Sequence, residues 1–341
     1  MMERRKACFI VIAVFGIVGF LGMNSVSAKP IELNFNLFIH AKHERFVLCH
    51  KPWIEKIEKG TKGQVKITPY YSNSLTPPPE KFNSTVDGIA DISEGLVYAN
   101  PGRFPMSEVL LLPELGLDSA EKASKAWWHL YKTMPAFQKE FAGVKMLFLH
   151  SSPKMMLAVK NKEIKSVADL KGLKVWAPGS QPALTAKALG MTPIALSPGE
   201  VYLALDKGVI DACWADFEIL VSRRFYEVTK YQVTNLYLNY TPFYMIMNQG
   251  VWDRLPKDIQ KVFDQYTGDW AVEFYGKIRD EGERHNESMA KEKGMKLLQL
   301  PDSEIAKVKK LVAPVRAEYA AQLEAKGLPG KKALEGFMNY K

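Results

Sequence analysis

Cysteine is scarce in this 341-residue chain, three in all and none in a Cys-x-x-Cys spacing, which excludes a disulfide-rich scaffold, a multi-cysteine zinc site and a dithiol redox centre. Catalytic signatures are missing too. The chain has no Gly-x-Ser-x-Gly elbow, phosphate loop, Gly-x-Gly-x-x-Gly fingerprint or His-Glu-x-x-His pair, so the common hydrolase, NTPase, dinucleotide and zinc-peptidase designs lack support. Neither a low-complexity tract nor a repeat with a period of 20–50 residues occurs, which argues against solenoids and propellers. After Met23 no apolar run is long enough to span a bilayer.

One long apolar run does exist, at the amino terminus. Arg4, Arg5 and Lys6 precede Ala7–Met23, and Val26-Ser27-Ala28 offers small residues before Lys29. This is the pattern of a secretory signal over residues 1–28, with cleavage after Ala28; an uncleaved membrane anchor is the alternative. Loss of Arg4, Arg5, Lys6 and Glu3 lowers the formal net charge from +9 to +7. Cys49 and Cys213 then remain, and two separate buried thiols are expected. With 47% hydrophobic and 24% charged residues, the mature chain reads as globular, of about two domains.

Strand-like and helical stretches alternate. Ile31–Phe38 shows period-2 alternation, Pro52–Gly60 an apolar helix face, Gln64–Tyr70 a strand, and Phe82, Val86 and Ile89 a helix. Ser166-Val167-Ala168-Asp169 resembles a capping box that opens a short helix ending at Gly172. Leu173–Ala177, Thr192–Leu196 and Val209–Ala212 read as strands, with helices over Gln181–Leu189 and from Val201 to Gly208. Ile259, Val262, Phe263, Tyr266, Trp270, Phe274 and Ile278 form the stripe of one long helix. This order predicts an α/β protein with mostly parallel sheets.

Three stretches carry a resemblance. Ile164–Val175 (IKSVADLKGLKV), Ala188–Pro193 (ALGMTP) and Glu200–Asp211 (EVYLALDKGVID) closely resemble the solute-binding proteins of TRAP transporters, the DctP type, and Gly63–Ile67, Asp87–Asp91 and Trp252–Pro256 fit the same family in order. The resemblance covers the whole mature chain. It implies a two-lobed periplasmic binding protein fold with a central ligand cleft, hinge strands and a long domain-spanning helix. Lobe I is expected over 29–152 plus 241–280, and lobe II over 153–240 plus 281–341. The implied function is non-enzymatic: a small organic solute is captured by hinge closure and delivered to small DctQ-type and large DctM-type membrane subunits of an ion-gradient-driven transporter. No cofactor, metal or nucleic acid is implied, and a monomer is expected. The rival readings are a periplasmic two-domain α/β enzyme and a ligand-sensing partner of a membrane receptor.

The family usually clamps its substrate carboxylate with an Arg after the Lys-Gly-Leu-Lys segment, a role that suits the planar guanidinium. Here Trp176 stands in that place, and a second customary Arg aligns with Met156, with Lys154 nearby. The cleft is therefore expected to have lost its arginine clamp. Trp214, Asp216 and Glu218 follow the next strand, and two tryptophans with carboxylates suit an amine, an alcohol or a flat aromatic ligand. Packing for Trp176 and helix capping for Asp216 are the alternatives. Phe38 and His40 end the first strand, where the cleft of an open α/β sheet lies, and Tyr98, Phe243 and Tyr244 complete the expected walls. Arg223 and Arg224 are read as a solvated helix face. His40, His43 and Glu44 lack metal-motif spacing, and the Lys307–Lys310 run lacks the interleaved aromatics of a nucleic-acid patch.

Overall fold

A computed structural model describes residues 29–341; the segment read as a signal peptide lies outside the described residues. Eleven strands are present among the described residues: β1 (Ile31–Asn36), β2 (Val65–Tyr70), β3 (Ile92–Leu96), β4 (Val144–Ser151), β5 (Met156–Val159), β6 (Lys174–Trp176), β7 (Thr192–Pro193), β8 (Ala212–Ala215), β9 (Tyr231–Val233), β10 (Pro242–Asn248) and β11 (Lys296–Leu298). They form two sheets, ordered β2-β1-β3-β10-β4 and β11-β9-β5-β8-β6-β7. Parallel neighbours such as β1 and β2 are joined through a crossover helix, here Lys51–Gly60, because strands running the same way cannot be joined by a tight turn. The first strand after each crossing between sheets, β5 or β10, enters antiparallel to its neighbours.

The chain leaves the first sheet after Ser151 and returns at Pro242. The two crossing segments run side by side and share main-chain hydrogen bonds: Ser152 N–H to Thr241 O at 3.0 Å, Met155 N–H to Asn239 O at 2.8 Å and Leu238 N–H to Met155 O at 2.9 Å. These paired segments join the two lobes.

Each sheet buries both faces. Phe35, Trp53, Phe148 and Met245 fill one side of the first sheet, and Phe82, Phe104, Trp127 and Tyr244 the other. In the second, Leu157, Val175 and Trp214 pack on one side, and Ala158, Cys213 and Ala215 on the other. Cys49 and Cys213 are buried free thiols, as expected.

The long apolar stripe is divided into two helices, Lys257–Gln265 and Gly268–Glu292. Gly268 at φ +57° makes the break, a backbone state glycine adopts at little cost. The second helix spans about 37 Å at 1.5 Å per residue. It runs from the first sheet's core at Val272 and Tyr275 to the second's at Ala290. Gly276 lets it lie against Glu121, whose Cα would sit 2.5 Å from any added Cβ.

The C-terminal helices, expected with lobe II, divide between the lobes. In Asp302–Ala325, Val308 and Val312 join the core beneath Trp214, whereas Val315, Tyr319 and Leu323 join that of Trp127. Pro314 stands between the two sets. The last helix, Gly330–Met338, brings Phe337 to Phe137 of the first lobe, ring centroids 6.2 Å apart. The apolar stripe of Asp302–Ala325 outlasts the second sheet, so the chain follows it back to the first. The strand expected over Val209–Ala212 starts only at Ala212, since Gly208 at φ +71° still turns the chain and leaves Val209 exposed.

Candidate functional site

A cavity of about 260 Å³ opens where the strand ends of the two sheets meet. The first lobe contributes Phe38, His40, Leu96, Tyr98 and Phe243; the second contributes Met155, Trp176, Asp216 and Glu218. Seven of the ten expected residues are thus brought together. Asp216 serves in both proposed ways: its carboxylate caps the helix Phe217–Ser222 by accepting from Ile219 N–H at 2.8 Å, and it also lines the cavity. The indole N–H of Trp176 donates to Leu196 O at 3.0 Å, which fixes the ring at the cavity wall.

Three expected residues lie elsewhere, for reasons of strand register. Trp214 points to the opposite face of β8 from Cys213, fully buried in the second lobe's core. Tyr244 alternates with Phe243 and packs behind β3 against Gly95, where an added Cβ would fall 2.1 Å from its Cζ. Met156 is off by one: Met155 lines the cavity, while Met156 and Lys154 line a separate groove, with the Lys154 ammonium 3.9 Å from the Tyr237 ring. Lys154 therefore does not replace the missing arginine.

The expectation of a cleft without arginines is overturned. Arg45, Arg223 and Arg279 all line the cavity. The Arg45 guanidinium carbon lies 4.8 Å from the Phe38 ring centroid and 4.3 Å from that of Phe243, two rings stacked 6.1 Å apart at 5°. Arg279, on the long helix, reaches Glu218 at 2.8 Å and Asp216 at 3.6 Å. Arg223, read as a solvated residue, is exposed yet stands at the cavity rim, donating to Pro198 O at 3.3 Å.

Glu218 also meets His43 of the first lobe at 3.0 Å. Burial alone would raise its carboxyl, but Arg279 and His43 hold it well below the usual carboxylate range. Burial, then the charge of Glu218, pushes Asp216 up to about 7. Burial and Asp216 likewise raise Glu283, which accepts from Phe217 N–H at 2.9 Å. Both cleft carboxylates are therefore engaged by the protein's own cations.

Beneath Arg45 lies a buried carboxylate that sequence reasoning missed. Glu94 on β3 presents Oε1 to Arg45 Nε at 3.5 Å, His50 Nε2 at 3.2 Å and His150 Nε2 at 3.1 Å. His150 stacks on Phe243, centroids 4.9 Å apart. Burial pushes His150 down to about 4 from 6.5, against the pull of Glu94. The unfolded chain thus binds this proton near 6.5 and the folded protein only near 4, so stability is lost as pH falls through that window, by up to ~3 kcal/mol. His150→Gln should flatten this slope in urea unfolding measured from pH 7 to 4; an unchanged slope would show that His150 is not the group responsible.

The bacterial extracellular solute-binding protein family 7, DctP, matches residues 40–323. The chain belongs to this family. A monocarboxylate 2-oxoacid-binding periplasmic protein of Nostoc sp. is 30% identical over 222 residues, 62% of this chain. The match spans 59% of that relative's length. A marine-metagenome TRAP solute-binding protein specific for aromatic acid ligands, crystallised with 3-hydroxybenzoate, superposes with a TM-score of 0.86 at 27% identity, covering 92% of this chain and 98% of that one. A Rhodoferax ferrireducens TRAP solute-binding protein with copurified benzoate gives 0.84 at 26%, covering 90% and 96%. The DctP chain is accordingly a solute-binding receptor and not an enzyme. Its relatives are periplasmic binding proteins, and a periplasmic location agrees with theirs.

Proposed function

We propose that this DctP protein captures a single-ring aromatic monocarboxylate in the periplasm, as a monomer, after removal of residues 1–28. The ligand ring lies against Phe38, Phe243, Tyr98 and Trp176, and its carboxylate meets the guanidinium of Arg45, with Arg223 at the rim. The observation that carries this reading is Arg45 set against the two stacked phenyl rings of Phe38 and Phe243 on the first lobe's side of the cavity. A volume of about 260 Å³ lies below the range of sites for drug-sized molecules and suits a small ligand. Relatives at 26–27% identity that hold benzoate or 3-hydroxybenzoate support the ligand class. Because the cavity draws on both lobes, ligand stabilises the closed state by its differential affinity. That shape is then offered to the small DctQ-type and large DctM-type membrane subunits.

A thermal-shift comparison tests the ligand class. At one hundred times its Kd, a ligand adds about 2.7 kcal/mol to stability, so benzoate and 3-hydroxybenzoate should raise Tm by several degrees, and benzylamine should not. A shift with benzylamine alone would overturn the carboxylate reading. A shift with pyruvate but not benzoate would overturn its aromatic part.

A further inference from the structure

Ion pairs among the described residues leave the cavity with a specific charge. Arg279 is answered by Glu218 and Asp216, and Glu218 is shared with His43; the ion-pair partner of Arg45 among the described residues is Glu94. Arg223 makes no ion pair among the described residues. His50 and His150, which also face Glu94, are both pushed below their ordinary value by burial and add no charge at neutral pH. Glu94 is fully buried, and its Oε2 has no hydrogen-bond partner, nor has Arg45 Nε. Such a buried carboxylate is costly unless its charge is answered. It contributes no surface to the ligand cavity, so its effect reaches the ligand through the neighbouring guanidinium.

We propose that Glu94 sets the charge of the ligand: lying beneath Arg45, it cancels one guanidinium charge, so the cavity accepts a monoanion and rejects a dianion of the same shape. This rests on the carboxylate reading above. Rejection through an unanswered charge is a usual source of specificity. Glu94 is here a positioning and charge-setting residue that never touches ligand.

The test is a ratio. Isophthalate carries two carboxylates, and its monomethyl ester is at least as large with one charge, so size is controlled. Calorimetry on the wild type should show the monoester binding at least tenfold tighter than isophthalate. In Glu94→Gln that ratio should fall by tenfold or more, and in Glu94→Asp it should stay near the wild-type value. A Glu94→Gln variant that weakens both ligands equally assigns Glu94 a merely structural role and overturns the proposal. Equal binding of both ligands by the wild type overturns it as well, even should Glu94→Gln fail to fold. If benzoate itself does not bind the wild type, the aromatic reading falls separately, and the charge rule is read on butyrate against succinate.

Discussion

Arg279→Met should cost 3–5 kcal/mol of stability at pH 8, the usual penalty for removing one partner of a buried ion pair. Arg279 is 6% exposed, and three buried or half-buried carboxylates, Asp216, Glu218 and Glu283, surround the helix start that it faces. Methionine keeps most of the side-chain volume, so the loss is electrostatic rather than steric. The pH dependence distinguishes the two. Without the guanidinium, Glu218 loses the largest of the charges that hold it low and keeps His43, so burial raises its carboxyl toward the behaviour Asp216 already shows near neutrality. Acids whose folded pKa is raised stabilise the fold at low pH and lose that contribution as pH rises through the folded value. The deficit should therefore shrink markedly between pH 8 and pH 5. Urea unfolding at the two pH values reads it, and an equal deficit at both would mean that packing around Arg279 matters more than its charge.

Arg45→Met should abolish carboxylate binding at ordinary concentrations. Truncating one member of a buried charge pair that also holds a ligand costs about 2–5 kcal/mol, which is roughly 30-fold or more in Kd. The variant also leaves Glu94 unanswered beneath the ligand, which adds repulsion. Benzyl alcohol, which offers the ring without the charge, should bind wild type and variant alike. Unchanged benzoate affinity in this variant would remove Arg45 from the site.

The lobed α/β fold was legible because its signals are local. The alternation of Ile31–Phe38, of which Ile31–Asn36 forms the strand, and the capping box at Ser166 and Asp169 depend on neighbours a few residues away. The site was only partly legible. Phe38, Trp176 and Asp216 stand at strand ends, a position that sequence order reveals. Trp214 and Tyr244 were misplaced because a strand shows both faces in sequence without saying which one meets the cleft, and here both faces are buried. Arg45 and Arg279 were overlooked because neither occupies the family's usual arginine position. Arg45 sits nine residues beyond the first strand, where no motif or apolar periodicity sets it apart. Arg279 lies just after the apolar stripe of a helix. Glu94 is a lone acid in a short strand, and only the approach of His50 and His150 from distant segments gives it meaning.

The return of the last two helices to the first lobe has a consequence for the order of events during synthesis. Phe337 and Ala333 belong to the same core as Phe82 and Trp127, so a chain emerging amino end first holds an unfinished nucleus until its final residues are free. Contacts so distant in sequence delay folding, because loop closure must be met before packing rewards it. Under the export proposed above for residues 1–28, that delay is an advantage: the interior that would trap the chain early cannot close until the whole length is available.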